Sequence, residues 1–481
     1  MNIWHKTLTL VAGALLLGAC EGYVDKVDEI DPTVPTDASA DQVLTSTEVA
    51  YIGFLEGDMA RLAGMWSGYF SGIDRQYVTL YNYNAVSADF DAAWSNVFAG
   101  IVKNTRIVRQ KAIAGGNRTQ LGIAKIIEAH TLGMAAALWG DIPVDQAANV
   151  QQFPNPTYEP QAQVYTKVLA LLAEGITDLQ ANVGPVSGDF LYGGNRANWI
   201  AAANTLRAKF LLHQGQFQQA ITAATGGIRS ASGNLLAPHG SSYGQNFNIY
   251  YSFLTYDRPG YMTADPSYAV QLLNPDDRAY RGNSKTDETG RLLYYFQQGL
   301  NTGSIEPNVL TSFDWGNAPE EDGFFGAATS FPLITFQENQ LILAESHARL
   351  GQTQQALAAL NVLRAYYDTG AHLNVAYRDL GSNYDPYVLA DFQARGIENP
   401  TGNRSPEQAL LREILEERYI TFIGQLEGFN DVRRTNNALG VPVNQGNQIP
   451  RRFLYAQNEI NANANAPRPV PDLFAPTTIF R

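Results

Sequence analysis

The sequence has almost no cysteine: Cys20 is the only one in 481 residues. One cysteine cannot form a disulfide within a single chain, so the fold must be held together by its core. Charged residues make up only 16% of the chain and hydrophobic residues 45%, which is typical of a soluble globular body rather than a disordered chain or an integral membrane protein. The length suits one large domain or two to three ordinary ones.

Basic residues are scarce relative to acidic ones. The chain has 33 Lys and Arg against 46 Asp and Glu, a formal net charge of −13. A nucleic-acid binder needs a basic surface for the phosphates, so this balance argues against such a partner. Aromatic residues, by contrast, make up 11% of the chain and include 25 tyrosines. Tyrosine joins a flat apolar face to a hydroxyl group, so the excess indicates contact surfaces as well as core.

Motifs of enzymes and metal sites are missing from the sequence. The histidines, at positions 5, 130, 213, 239, 347 and 372, show no H-x-x-x-H spacing and do not stand beside cysteine. There is no G-x-S-x-G elbow and no Walker-type glycine loop. The neighbouring acids at 276–277 and 320–322 could supply glycosidase carboxylates, but adjacent acids in loops are usually solvated. We therefore predict a protein that is not an enzyme, with no cofactor and no metal.

The first 20 residues have the features of a targeting segment. Lys6 gives a short basic region, and the apolar stretch Thr7–Leu17 is too short to span a bilayer. Leu17-Gly18-Ala19 suits a cleavage site, and Cys20 follows at once, as in a bacterial lipobox whose cysteine is lipidated. The alternative is an ordinary secretory signal with an accidental cysteine. We predict a lipoprotein signal peptide over 1–20, lipidation at Cys20 and a flexible acidic tether over 21–46.

Helical periodicity fills two regions of the chain. Apolar residues recur at helical spacing over 89–114, 120–138, 160–180, 196–214, 216–229 and 331–350. Two turns share a sequence, since Gly215-Gln216-Phe217-Gln218-Gln219-Ala220 matches Gly351-Gln352-Thr353-Gln354-Gln355-Ala356, and each follows an Ala/Leu-rich helix. Such units stack in tetratricopeptide-type repeats. We predict an all-α, tetratricopeptide-like repeat scaffold, with helical repeats at about 89–229 and 332–436 in one domain over 47–481.

Residues 233–331, between these regions, lose the helical period. Gly, Asn, Pro, Tyr and Asp dominate, and the only helix that the pattern favours lies near 266–273. Long irregular segments in compact domains tend to carry function. We therefore predict a loop-rich, irregular ligand-binding subdomain packed on the repeats.

The stretch 405–434 combines a strong helix with many charges. Ser405-Pro406 is a start signal, and Leu411, Ile414, Leu415 and Ile420 outline an apolar face. Periodicity alone predicts a surface helix whose opposite face, with Glu413, Glu416, Glu417 and Arg418, is solvated. Gly424 and Gly428 are expected to break the helix.

Several motifs, in this order, resemble the SusD/RagB family of nutrient-binding outer-membrane lipoproteins. They are W-x-x-x-F-x-x-I-x-x-N at 94–104, L-W-G-D-I-P at 138–143 and E-E-R…E-G-F-N-D-V-R-R at 416–434. Phe429-Asn430 stands where family members often carry arginine or tryptophan, so the chain resembles a divergent branch. The resemblance covers nearly all of the sequence after the signal. It implies a cell-surface protein, lipid-anchored in the outer membrane, that captures oligosaccharides and delivers them to a SusC-type TonB-dependent transporter.

Sugar capture without catalysis needs flat aromatic faces for the rings and amides or charges for the hydroxyls. In SusD-like proteins the ligand surface combines an early post-helix segment with the irregular subdomain, and three aromatic clusters fall there. We predict as ligand-binding Trp66, Tyr69, Asp74, Arg75, Tyr77, Tyr81, Tyr83 and Asn84 in the first cluster, Tyr250, Tyr256 and Arg258 in the second, and Asp314 and Trp315 in the third. At least two of Trp66, Tyr81 and Trp315 are expected to form an exposed platform, although any single aromatic is more often core.

Three alternatives to glycan capture stay open at this point. The same aromatic groove could hold an extended peptide, as in peptide-binding members of the family. A secreted glycoside hydrolase would need a convincing pair of acids, which the sequence does not show. A purely structural repeat adaptor would have its aromatic clusters buried.

Overall fold

The computed structural model describes residues 38–242, 244–299, 303–311 and 322–480. The predicted signal peptide, Cys20 and the first part of the predicted tether lie outside these residues. The tether boundary at 46 is wrong, because the first helix already begins at Ala40. Ser39 starts it with a capping box: its hydroxyl accepts from Gln42 N (3.2 Å), and Gln42 Oε1 accepts from Ser39 N (2.9 Å).

Helices make up most of the fold, which confirms the all-α prediction. In chain order they are α1 (Ala40–Glu56), α2 (Asp58–Trp66), α3 (Arg75–Tyr81), α4 (Asp91–Ser95), α5 (Lys103–Ala114), α6 (Arg118–Trp139), α7 (Gln161–Gln180), α8 (Arg196–His213), α9 (Phe217–Ala224), α10 (Ile249–Ser252), α11 (Tyr268–Leu273), α12 (Thr289–Tyr295), α13 (Phe336–Arg349), α14 (Thr353–Asp368), α15 (Val375–Arg378), α16 (Pro406–Thr421), α17 (Leu426–Arg434) and α18 (Gln457–Ala462). The π-helical segment Asn96–Val102 joins α4 to α5, and a second π-helical segment, Phe253–Asp257, follows α10.

The strands are short and form antiparallel pairs. They are β1 (Ser71–Gly72), β2 (Leu235–Ala237), β3 (Met262–Thr263), β4 (Thr286–Asp287), β5 (Phe296–Gln298), β6 (Ile305–Pro307), β7 (Phe331–Ile334) and β8 (Asn383–Tyr384). The pairs are β1 with β3, β2 with β7, β4 with β8 and β5 with β6. The pairs β1 with β3 and β4 with β8 join the region 233–331 to other parts of the chain, and the pair β2 with β7 joins its own two ends.

The long helices pack on their neighbours in chain order, as expected of a repeat scaffold. Helix α5 packs on α6, α6 on α7, α7 on α8 and α8 on α9; α9 then meets α13, which packs on α14 and α16. Helix α6 is long and apolar enough to cross a membrane, but nearly all of its apolar stretch lies inside the fold. It is therefore the central core helix of the stack.

The two turns that share a sequence also share a backbone conformation. Gly215 and Gly351 have φ of +69° and +71°, in the left-handed region. The N–H of Gln216 donates to Leu211 O and that of Gln352 to His347 O, both at 2.9 Å. The predicted equivalence of the two turns is confirmed.

Replacing Gly351 or Gly215 with alanine should lower the free energy of unfolding by about 1 kcal/mol, because side chains disfavour a positive φ. Crowding adds nothing at Gly351, since a Cβ there meets no atom within 4 Å. Gly115→Ala is the matched control: Gly115 also follows a helix, but its φ is −85°, so no loss is expected. Urea unfolding measures all three variants, and equal stability of all three would contradict a shared left-handed turn.

The irregular subdomain contains more helix than its sequence pattern suggests. Helix α11 lies in the predicted window at 266–273, but α12 has no counterpart in the prediction. Helix α12 has seven residues, about two turns, which is too short for an apolar period to repeat. Its Arg291 side chain nevertheless anchors the subdomain to α16.

The charged face of α16 is buried, so the prediction of a solvated surface face is wrong. Glu413, Glu417 and Arg418 are each 1% exposed. Arg291, from α12, donates to both oxygens of Glu417 at 2.9 and 3.2 Å. Arg281 Nη2 lies 2.8 Å from Glu413 Oε1, and its Nη1 lies 3.0 Å from Glu417 Oε2. Buried ions need such partners, and the irregular subdomain supplies them.

A second set of buried ion pairs joins α16 to α17 and α13. Arg418 makes a two-pronged contact with Asp431, at 2.8 and 3.0 Å. Arg434 does the same with Glu345, at 2.6 and 2.7 Å. Gly428 lies inside α17, so the expectation that it breaks a helix is wrong. Tyr69 packs against Gly428, and a Cβ at this position would lie 2.2 Å from Tyr69 Oη, so a larger residue would not fit.

Candidate functional site

The early aromatic segment meets the irregular subdomain, as predicted. Strand β1 pairs with β3, with Ser71 opposite Thr263. The ring of Tyr77, on α3, lies 4.9 Å from the ring of Phe253 and 6.0 Å from that of Tyr261, measured between centroids. Two segments nearly 200 residues apart in sequence therefore form one surface.

A cleft of about 450 Å³ opens along this junction. We call it the Arg61 cleft. Its lining residues come from α2, α3, the turn before α4 and the π-helical segment after α10: Asp58, Met59, Arg61, Leu62, Met65, Gln76, Tyr77, Leu80, Asp89, Phe253, Asp257 and Arg258. The lining thus combines acids, cations and an amide with apolar side chains, a composition that is usual for small-ligand sites.

Arg61 lies at the base of this cleft and is almost fully buried. Its Nε donates to Tyr77 Oη (3.2 Å), its guanidinium lies 4.1 Å from the Phe253 ring centroid, and it pairs with Asp58. Burial lowers the pKa of Arg61, but Tyr77 and Asp58 outweigh this and raise it above its ordinary value. The group is therefore charged, and its Nη1 has no hydrogen-bond partner within the described part of the chain.

Exposed residues stand next to the cleft residues in sequence. Tyr256, directly before Asp257 and Arg258, is 42% exposed and stacks on Phe247 with centroids 5.7 Å apart. Arg258 and Arg75 both lie over Tyr261, at 5.8 and 5.7 Å. Arg75 has a φ of +45°, a strained conformation for a side-chain-bearing residue. Of the predicted ligand residues, Asp74, Arg75, Tyr256 and Arg258 are exposed here.

Four of the predicted ligand residues belong to the core instead. Trp66, Tyr69, Tyr83 and Tyr250 are buried, so their prediction as ligand contacts is wrong. Their polar atoms are already paired: Trp66 Nε1 donates to Leu80 O (2.8 Å), Tyr69 Oη to Tyr419 O (2.8 Å) and Tyr250 Oη to Gly424 O (2.7 Å), while Tyr83 Oη accepts from Asn444 N (2.9 Å). Core packing outweighs surface exposure for rings with such partners.

The remaining predicted residues divide three ways. Tyr77 is 7% exposed, so it forms a wall of the Arg61 cleft rather than a free stacking face. Tyr81 is half-buried and Asn84 is exposed, but neither lines this cleft. Asp314 and Trp315 lie outside the described residues. The expected platform of Trp66, Tyr81 and Trp315 therefore loses Trp66.

Sequence reasoning missed Asp58, Arg61, Gln76, Phe253 and Asp257. Arg61 had a visible signal: it is a single cation within the apolar run of α2, where a buried charge needs a reason. Phe253 and Asp257 lie in the same short segment as Tyr256 and Arg258 but belong to no sequence motif. Among the residues that the structure describes, no group of three or more His, Cys, Asp or Glu could hold a metal ion.

Comparison with protein families gives one match. The family model SusD-like_2, described as "Starch-binding associating with outer membrane", matches residues 32–456. No curated protein matches this sequence.

Solved structures of SusD-type proteins share the fold. A SusD homologue from Bacteroides fragilis has a TM-score of 0.66 at 18% identity, covering 92% of this chain and 100% of its own. A SusD/RagB family protein from Bacteroides thetaiotaomicron has a TM-score of 0.63 at 19% identity, covering 89% and 95%. A chitin-binding SusD homologue from Flavobacterium johnsoniae has a TM-score of 0.62 at 14% identity, covering 91% and 98%.

Proposed function

The chain belongs to the SusD-like family, and from that premise we propose that it captures oligosaccharides at the cell surface without hydrolysing them. The family description supports a location at the outer membrane. We further propose that a lipid on Cys20 anchors it there and that it delivers its ligand to a SusC-type TonB-dependent transporter. The chitin-binding function of one structural neighbour supports a glycan as the ligand class.

The observation that carries this proposal is the Arg61 cleft. Sugar hydroxyls donate and accept at once, so a sugar site needs both kinds of partner. The cleft offers carboxylates at Asp58, Asp89 and Asp257 and donors at Arg61 and Arg258. The unpaired Arg61 Nη1 is a charged donor that a ligand oxygen would satisfy. Tyr256, exposed beside the opening, supplies a flat face for a ring.

The proposal is tested by a glycan and peptide array probed with the full chain in detergent, followed by titration of the best ligand. We expect oligosaccharides to bind. Tyr256→Ala should weaken binding about tenfold or more, since one stacked ring contributes about 1–3 kcal/mol, by analogy with stacked bases. Gln76→Ala should weaken it about three- to tenfold, since one hydrogen bond contributes about 0.5–1.5 kcal/mol. Their melting temperatures should stay near wild type, because both side chains are exposed.

Phe190→Ala is the matched control: Phe190 is an exposed aromatic in the segment before α8, which contributes no residue to the cleft, so this variant should bind like wild type. If only peptides bind, the ligand class is peptide and the glycan proposal is wrong. Release of shorter sugars from the bound glycan would show an enzyme. Unchanged affinity in both Tyr256→Ala and Gln76→Ala would place the glycan site elsewhere.

A further inference from the structure

A second cleft, of about 480 Å³, lies between the irregular subdomain and the repeat helices α14 and α16. We call it the His372 cleft. Its walls include Tyr294, Tyr295, Tyr366, Tyr367, His372 and Gln425. Within the described residues it shares no lining residue with the Arg61 cleft. Its size falls in the range of about 300–1,000 Å³ that is usual for small-molecule sites.

His372 is the unusual group in this cleft. Both of its ring nitrogens are shielded from solvent, and neither has a hydrogen-bond partner in the described part of the chain. Burial, with Arg291 nearby, lowers the pKa of His372 well below its ordinary value, so the ring is neutral. A neutral imidazole has one donor and one acceptor, and leaving buried polar atoms unpaired is costly.

The other polar groups of the cleft leave little free charge. Both Nη atoms of Arg291 are engaged by Glu417, at 2.9 and 3.2 Å. The hydroxyl of Tyr367 pairs with Thr421 Oγ1 at 3.0 Å, and Gln425 Nε2 donates to Thr421 O at 3.0 Å. The cleft is therefore lined by aromatic side chains, and the charge of Arg291 is already neutralised by Glu417. Such a cleft favours an uncharged ligand over a carboxylate or a phosphate.

The ring of His372 is positioned to respond to a ligand. It lies 4.5 Å from the Tyr367 ring, between centroids, and the residue as a whole is only half-buried. Because both ring nitrogens are shielded from solvent, a ligand reaches one of them only when the imidazole turns toward the cleft. A sugar hydroxyl can both donate and accept, so it can pair with either nitrogen of a neutral imidazole.

We propose that the His372 cleft is a second binding site, specific for a neutral polyhydroxylated ligand the size of one or two sugar rings. In this site the imidazole turns toward the cleft and one of its nitrogens forms a hydrogen bond with a ligand hydroxyl, beside the tyrosine side chains of the wall. This site does not depend on ligand binding in the Arg61 cleft.

Titration of the full chain, with ¹⁵N-labelled histidine, against neutral mono- and disaccharides and their uronic-acid counterparts tests the proposal. We expect a saturable change in the His372 ring nitrogen signals with neutral sugars and a weaker one with the acids. In calorimetry, His372→Phe should weaken binding about tenfold or more, and His372→Gln, which keeps a donor and an acceptor, should retain most of it. Phe190→Ala, which lies outside both clefts, should leave this binding unchanged.

The proposal fails if no neutral sugar shifts the His372 signals, which would leave water as the partner of its nitrogens. It also fails if His372→Phe binds sugar like wild type. If the phenylalanine variant does not fold, Gln425→Met tests the same cleft, and wild-type affinity in that variant would overturn the site. Loss of small-sugar binding in Tyr256→Ala alone would assign that binding to the Arg61 cleft instead.

Discussion

Replacing Glu417 with alanine should lower the free energy of unfolding by about 3 kcal/mol at neutral pH, the lower end of the cost of removing one partner from a buried ion pair, because Glu288 and Glu413 still face the two arginines. Glu417 contacts two arginines of the irregular subdomain, Arg281 and Arg291, and all three are at least 94% buried. Both guanidinium groups would lose a carboxylate in a place that water does not reach. The variant should also loosen the subdomain from α16.

Denaturant unfolding measures this effect, with Glu407→Ala as the matched control. Glu407 lies on the same helix but in its first turn and on the surface, so its loss should leave the unfolding midpoint near wild type. Equal midpoints for Glu417→Ala and wild type would show that the buried pairs do not hold the two parts together.

The same variant changes the response to acid. Burial raises the pKa of Glu417, but Arg291 and Arg281 outweigh it and bring the pKa to about 2, below the value of 4.5 in the unfolded chain. A carboxylate with a lowered pKa stabilises the fold above about pH 4.5 and loses this contribution as the pH falls toward about 2. Wild type should therefore lose stability across this window, and Glu417→Ala should lose less.

Trp66→Ala should cost about 3–5 kcal/mol of stability, the effect of emptying a large buried site. The Trp66 ring is fully buried and packs edge-on against Phe429 and Phe453, with centroids 5.7 and 5.6 Å away. Its indole N–H would also no longer satisfy Leu80 O. Thermal unfolding measures the loss, and Tyr256→Ala, an exposed ring, is the matched control and should melt near wild type.

A Trp66→Ala protein that melts like wild type but no longer binds glycan would contradict the core assignment. It would restore Trp66 to the ligand surface that the sequence predicts for it.

The long helices could be predicted because their apolar spacing repeats several times. The pattern at 120–138 gives α6 to within about two residues. The two Gly-Gln turns could be predicted because the backbone has a positive φ at both positions, which favours glycine in the sequence.

The site was only half predictable, because tertiary contacts decide which rings are buried. Trp66 and Tyr256 both lie in aromatic, poorly periodic segments, yet one is 0% exposed and the other 42%. Likewise, local sequence predicts that Glu417 is solvated, because its arginine partner lies over 100 residues away in the sequence. The location of the junction could be predicted from the resemblance, but its cleft and its buried Arg61 depend on packing that local sequence does not specify.

The most direct test of glycan capture is a crystal structure of the full chain with the oligosaccharide that binds best on the array. We predict a sugar ring in the Arg61 cleft, with a hydroxyl bonded to Arg61 Nη1 and a ring face against Tyr256. A well-ordered oligosaccharide that contacts no residue of the Arg61 cleft would contradict this account.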